Sequence, residues 1–164
     1  MSSPIRRRRD GTFAIRLDVG ARTVLADLAR QLPGAIETHD PMVRRLFPPA
    51  YPAAGMDEAE REYRELVDTA LENHHIQALK LLVDTAQAET LTETEFTAWL
   101  DAVVSLRLVL GTRLDVHEDM DAPPPDDPSS TEYGLFAFLG ELQYLMVEVL
   151  AEQLPDEGRP EEAL

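Results

Sequence analysis

Histidines beside acidic residues are the groups in this sequence whose types could bind a metal. His74 and His75 are adjacent and follow Glu72 closely, and imidazole and carboxylate groups suit zinc, copper or nickel. Adjacent residues on a helix point about 100° apart. The positions three and four residues after the two histidines run from Gln77 to Leu79 and offer no metal ligand. The spacing therefore does not favour a preformed metal site.

The remaining candidates for catalysis or metal binding are weaker. His117-Glu118-Asp119 lies in a stretch of acids and prolines, and His39 stands alone. The chain has no cysteine, which excludes disulfides, thiol nucleophiles and cysteine-based zinc sites in this chain. It also lacks the nucleophile-elbow, zincin, phosphate-loop and dinucleotide-binding motifs. We expect no catalytic, cofactor-binding or metal-binding residue, and we predict that the protein is not an enzyme.

Arginines carry the other candidate chemistry, which is recognition of an acidic surface. Residues 1–45 hold nine arginines and five acids, a net charge of +4. Because the whole chain has a net charge of −16, the remaining 119 residues carry −20. Phosphate backbones repel such an acidic chain, which disfavours nucleic-acid binding, although a short basic edge could still contact a phosphate backbone. We predict an interaction surface for a protein partner made of Arg6, Arg7, Arg8, Arg9, Arg16, Arg44 and Arg45.

Four further residues are predicted to be structural. A buried guanidinium is costly without a carboxylate, so we expect Arg107 to pair with an acid from a neighbouring helix or to extend to the surface. An anion-binding site at Arg107 is the alternative. Trp99, Phe47 and Tyr51 are expected to pack on the core as large aromatic side chains.

The elements that must position these residues are mainly helical. Residues 96–114 are apolar on nearly every side, which predicts a central helix against which other helices pack. The stretch between Asp101 and Arg107 is far too short to span a bilayer. Thr92 and Glu95 have the spacing of a capping box and mark the start of this helix.

The N-terminal residues 4–18 predict a β-hairpin. Asp10-Gly11 is typical of a two-residue type I′ turn, and Phe13, Ile15 and Leu17 alternate with residues suited to a solvent face. The arginine-rich first strand suits an exposed edge defended by charge. Its free backbone groups could pair with a partner strand or with a second copy, so a homodimer is a further expectation.

The other helices are predicted from apolar periodicity and from helix-ending residues. We expect a helix over 19–32 ended or bent by Pro33-Gly34, a helical turn over 42–47 followed by a proline-rich strap, and a helix from residue 57 that is either continuous or interrupted at 73–75. A loop over 115–130 and a last helix over 132–153 follow. The fold prediction is a mainly α multi-helix bundle with an N-terminal hairpin, one domain over 1–154 and a disordered tail over 155–164. The N-terminus lacks an apolar stretch after its arginines, so we expect a cytoplasmic protein without a membrane anchor.

Four segments, RRRRDG, VRRLFPPAY, EREYREL and LRLVLGTRL, together resemble a family of small actinobacterial proteins that carry a domain of unknown function. The family includes AosR-like oxidation-sensing transcriptional regulators, and the resemblance covers nearly the whole chain. It implies a cytoplasmic regulator that contacts a transcription protein such as a sigma factor. Oxidation sensing in such regulators depends on a cysteine pair, so that mechanism and its residues do not transfer to this cysteine-free chain.

Three hypotheses about function follow. The first is a regulatory module that acts through protein–protein interaction. The second is a DNA-binding regulator that uses the arginine hairpin with Arg44 and Arg45, and the third is a small ligand binder or enzyme with an arginine-lined pocket. Salt dependence separates the first two, because phosphate contacts lose affinity steeply as salt rises.

Overall fold

The computed structural model describes residues 2–47 and 58–152. These residues form five helices and one small antiparallel sheet, which confirms the mainly α fold with an N-terminal hairpin. The strands are β1 (Ile5–Arg7), β2 (Phe13–Ile15) and β3 (Thr90–Leu91), and the helices are α1 (Val19–Glu37), a 3-10 helix (Pro41–Leu46), α2 (Glu58–Thr85), α3 (Glu93–Arg113) and α4 (Ser130–Ala151). Tyr51, the proline-rich strap and the predicted tail over 155–164 lie outside the described residues.

Helix α3 is the centre of the fold, as its apolar composition predicts. It packs against α2, α4, the 3-10 helix and α1, and its buried side chains include Phe96, Trp99, Val103, Leu106 and Leu110. The predicted capping box is present: the Glu95 amide donates to the Thr92 hydroxyl at 3.2 Å, and the Thr92 amide donates to the Glu95 carboxylate at 2.8 Å. Two of the four unpaired amides at the helix start are thereby satisfied.

The hairpin is present, but its predicted turn type is wrong. The Arg8 amide donates to the Thr12 carbonyl at 2.7 Å, and the Gly11 amide donates to the Arg8 carbonyl at 3.1 Å. Gly11 has a φ of +85° whereas Asp10 has a negative φ, so the type I′ turn, which needs both positive, does not form. The loop is a three-residue type I turn with a glycine bulge.

The Asp10 side chain stabilises this turn. Its carboxylate accepts hydrogen bonds from the Thr12 hydroxyl at 2.6 Å and the Thr12 amide at 3.0 Å. These bonds favour the ionised form and lower the pKa of Asp10 below its usual value. The contribution of Asp10 to the turn is therefore present above the usual carboxyl pKa and is lost as the pH falls through the lowered one.

A third strand, absent from the prediction, completes the sheet. β3 pairs with β2 so that Leu91 lies opposite Phe13 and Thr90 opposite Ala14, which makes β2 the central strand and leaves β1 at an edge. The Phe13 ring stacks on Phe96 of α3 with the two ring centroids 4.0 Å apart. The sheet is therefore fixed to the central helix through its middle strand.

Helix α1 does not end at Pro33-Gly34 but continues to Glu37, so the predicted end at residue 32 is wrong. Its end is formed by His39, which has a φ of +52°. The His39 amide donates to the Ile36 carbonyl, and the Asp40 amide donates to the Ala35 carbonyl. This is the hydrogen-bond arrangement of a Schellman motif, which usually has glycine at the position of His39.

Helices α2 and α4 are long and uninterrupted. α2 passes through residues 73–75 without a break, so the continuous alternative is the correct one. Its buried side chains, Ala78, Leu79 and Leu82, all lie in its second half. Within the described ranges α4 is the one helix that is long and apolar enough, by length and composition alone, to cross a membrane. Its buried residues are Leu139, Leu142, Met146 and Val149, and it packs against α3 and β1.

Candidate functional site

The alternation of side chains along the strands places the hairpin arginines on different faces of the sheet. Arg6 pairs with Ala14, and the Arg16 amide donates to the Pro4 carbonyl, so Arg6 and Arg16 belong to the face opposite Ile5, Phe13 and Ile15. That opposite face is open to solvent, and both arginines are exposed. The core face carries the three buried apolar residues, which hold the strands on the bundle.

Arg8 and Arg16 lie together at the β3 side of the sheet. They line a surface cavity of about 500 Å³ whose wall includes Glu89 and Thr90. The Arg8 guanidinium donates to the Thr90 hydroxyl at 3.5 Å. Arg6, Arg8 and Arg16 are called the arginine face below.

Arg7 belongs to a different environment. It pairs with Phe13 and therefore has its Cβ on the core side of the sheet, but it lies at the β1 edge and is exposed. A smaller cavity of about 230 Å³ at this edge is lined by Arg6, Arg7, Leu145, Glu148 and Glu152. Two carboxylates at the end of α4 therefore share this cavity with arginines of β1.

Arg44 and Arg45 lie in the last turn of the 3-10 helix and line a separate cavity of about 720 Å³. Its wall also includes His39, Phe47, Asp68 and Leu108. One Arg45 nitrogen is 3.2 Å from the position that a Cβ on Gly111 would occupy. The structure therefore divides the predicted arginine surface between the sheet and the 3-10 helix.

The ion pair, one of the two arrangements expected for Arg107, does not form in the part of the chain that the structure describes. No carboxylate there forms a salt bridge with Arg107. Its guanidinium carbon lies 5.1 Å from the centroid of the Phe136 ring, and one terminal nitrogen reaches the Gln143 side-chain oxygen at 3.5 Å. Its Nε is buried without a hydrogen-bond partner among the described residues. The electron-rich ring face takes the place of the expected carboxylate.

Arg22, which was not among the predicted site residues, is a buried arginine whose guanidinium is held by four hydrogen bonds. It is only 5% exposed. Its guanidinium donates to four backbone carbonyls, those of Leu17 at 3.0 Å, Ala86 at 2.9 Å, Ala88 at 2.7 Å and Ile15 at 2.8 Å. The available signal was its place in the apolar spacing of α1, three residues before Leu25 and seven before Ala29.

The paired histidines connect helices instead of meeting Glu72. His74 Nε2 is 3.1 Å from an Asp101 carboxylate oxygen. His75 Nε2 is 3.1 Å from the Leu46 carbonyl, and its Nδ1 is 3.3 Å from the Ser105 hydroxyl. Within residues 2–47 and 58–152, no group of three or more histidines or acids has the arrangement of a metal site.

Two of the predicted structural aromatics lie where they were expected. Trp99 is 1% exposed, and its Nε1 donates to the Thr85 hydroxyl at 2.7 Å. Phe47 packs on the core and meets the His75 ring edge-on, with the ring centroids 5.8 Å apart. Both side chains belong to the contacts between α2 and its neighbours.

Comparison with known proteins identifies the family. A family model described as "Domain of unknown function (DUF2017)" matches residues 2–150. A protein of Mycobacterium leprae (strain TN) named "Putative oxidative stress regulator AosR" is 32% identical over 131 residues, which cover 68% of this chain and 59% of that protein. The chain thus spans less than two thirds of this relative, and no solved structure matches it. The chain belongs to the DUF2017 family.

Proposed function

We propose that this chain is a regulatory protein that acts by binding a partner protein through the arginine face. The relative from Mycobacterium leprae is named as an oxidative stress regulator, which is consistent with a role in regulation. The observation that carries the proposal is the arginine face itself. Arg6, Arg8 and Arg16 are exposed on one side of the sheet and form no salt bridge among the described residues.

The partner surface is acidic and belongs to a protein. Arg6 lies on β1, and Arg8 and Arg16 directly follow β1 and β2. Arginines held on or beside the strands of a sheet lose less conformational freedom on binding than the same residues on a flexible tail. The rest of the chain is strongly acidic, which disfavours a long phosphate backbone and orients the molecule with its arginines toward an acidic surface. Charge complementarity of this kind mainly raises the association rate.

We further propose that the partner is a component of the transcription machinery, such as a sigma factor, as the resemblance to transcriptional regulators implies. The protein would then act in the cytoplasm without catalysis of its own. Sensing of oxidants by a thiol is excluded within this chain, because it contains no cysteine.

The test compares two triple variants of the full chain. Arg6→Ser, Arg8→Ser and Arg16→Ser should leave the melting temperature nearly unchanged, because exposed charges contribute only about 0–1 kcal/mol each. The same variant should bind partner captured from cytoplasmic extract with a roughly tenfold slower association rate at low salt. The control changes Arg30, Arg61 and Lys80 to serine, because these three exposed cations lie outside the predicted interaction surface and remove the same charge.

Two results would contradict the proposal. One is a large loss of stability with unchanged partner binding, which would make the arginines structural. The other is binding of a DNA duplex that depends on Arg6, Arg8 and Arg16 and weakens steeply with salt, which would favour the DNA-binding alternative.

A further inference from the structure

The first half of α2 carries apolar side chains that the fold leaves in solvent. Tyr63 is 69% exposed, Leu66 is 70% exposed and Val67 is 37% exposed. Ala59 and Ala70 on the same helix are also exposed. Contiguous exposed apolar surface of this kind usually marks an interaction site.

The spacing of these residues makes one continuous row. Residues 59, 63, 66 and 70 recur at steps of four, three and four, which places them along one side of a helix in the manner of a coiled-coil seam. The buried residues of α2 begin only at Ala78. The row therefore lies on a part of the helix that contributes no buried side chain to the core.

An acidic row runs beside the apolar one. Glu58, Glu62 and Glu65 each stand one position before a member of the apolar row, and all three are exposed. Because adjacent helix residues are separated by about 100°, the carboxylates line one flank of the apolar row along its length. The two rows together are called the α2 face below.

We propose that the α2 face is a docking site for a basic amphipathic helix of a partner protein. The apolar row of such a helix would bury Tyr63 and Leu66, and its lysines or arginines would meet the acidic flank. A second copy of this chain fits less well, because each copy has a net charge of −16 and would bring the same acidic row to the contact.

The first half of α2 is held in place because it continues directly into the second half, whose buried side chains belong to the core. Ala78, Leu79 and Leu82 are fully packed, and the helix runs unbroken from them back to Glu58. A partner helix thus meets a preformed surface, which lowers the ordering cost of binding. The α2 face differs from the arginine face in both position and sign of charge, so either proposal can fail while the other stands.

Binding is tested on the full chain with a fluorescein-labelled peptide of about 20 residues, roughly five helical turns, that has leucines along one seam and lysines beside it. The control peptide has the same composition in scrambled order. Fluorescence anisotropy should show the amphipathic peptide binding at least about tenfold more tightly than the scrambled one. Equal affinities would mean unspecific attraction to an acidic protein and would overturn the proposal.

Paired substitutions locate the site. Tyr63→Ser with Leu66→Ser should lower the affinity for the peptide by at least about tenfold. A few large side chains that become buried on binding supply most of the binding energy of such contacts. Tyr144→Ser with Val147→Ser is the matched control, because these α4 residues have the same spacing and are 62% and 47% exposed. It should leave the affinity unchanged, and equal losses in the two variants would contradict the assignment.

Two further readouts test the chemistry. Changing Glu58, Glu62 and Glu65 to glutamine should lower the affinity for the peptide and reduce the dependence of that affinity on salt. The reason is that the acidic flank supplies the electrostatic part of the affinity. Light scattering over a range of protein concentrations should show no dimer that depends on Tyr63 and Leu66. Such a dimer would make the α2 face a contact between copies and would overturn the proposal.

Discussion

Two arginines that pack against the bundle, Arg22 and Arg107, are held in different ways. Arg22 is buried where the end of β2, the start of α1 and the connection after α2 meet, and it donates to four backbone carbonyls there. Arg107 is half-buried between α3 and α4, where it lies over Phe136 and keeps one buried nitrogen without a partner. Neither forms a salt bridge with a carboxylate in the described chain.

The difference shows what the surroundings of a guanidinium can offer. Where strands, loops and helix starts meet, backbone carbonyls are not all used in regular hydrogen bonds, so an arginine with five donors can satisfy several at once. Between two helix interiors the carbonyls are already bonded within each helix. Arg107 therefore finds only an aromatic face and an amide side chain.

The largest expected effect is at Arg22. Arg22→Leu should destabilise the protein by about 3–5 kcal/mol, because it leaves buried carbonyls without donors at a point where three segments join. For a chain of this size the melting temperature should fall by roughly 10 °C. Arg30→Leu, at an exposed residue of the same helix, is the control and should cost about 1 kcal/mol or less. A comparable cost at both positions would remove the distinction drawn for Arg22.

A smaller effect is expected at Arg107. Arg107→Ala should cost about 1–2 kcal/mol, because it removes the contact with Phe136 and opens space between α3 and α4. Arg107→Leu should cost less, since it fills much of that space and leaves no described carboxylate without its partner. Urea unfolding of both variants measures this. A larger cost for leucine would mean that Arg107 makes polar contacts that outweigh its packing.

The smallest effect separates two glycines of α4. Gly134→Ala should stabilise by about 0.5–1 kcal/mol, because alanine is the better helix former. Apart from its chain neighbours and the backbone of its own helix, no heavy atom lies within 4 Å of the new Cβ. At Gly140 the new Cβ would lie 3.3 Å from Arg107 Nε, so Arg107 must move and the gain should be smaller.

A double-mutant cycle tests the cause of that difference. In the Arg107→Ala background, Gly140→Ala should recover the full gain seen at Gly134. An unchanged gain would show that Arg107 does not limit the site.

The long helices were predictable because each carries its own local signals. α3 has a capping box and apolar residues on nearly every side, and α4 has a broad apolar face over many turns. β3 has only two residues and no periodicity to detect. The end of α1 was missed because the chain passes through Pro33 and stops at His39, where tertiary packing supports a conformation that local preference assigns to glycine.

The candidate site was predictable in part for a related reason. Exposed arginines on a hairpin follow from the charge and alternation of residues 5–17, and they are exposed in the structure. The separation of Arg44 and Arg45 from the sheet depends on how distant segments pack, which no local pattern encodes. The carbonyl partners of Arg22 include Ala86 and Ala88, more than 60 positions away, and were equally invisible.

Trp99 gives the core an optical probe of its own. It is the only tryptophan in the chain, it is buried, and its indole donates to Thr85 at the end of α2. The fluorescence of this residue therefore reports on the joint between α2 and α3, next to Ala86, which accepts a hydrogen bond from Arg22. Tyr63 of the α2 face lies 22 residues before Thr85 on the same helix, which is about 33 Å along the helix axis. A change in Trp99 emission therefore indicates loosening of the core near Thr85, whereas binding at the distant α2 face should leave this emission unchanged.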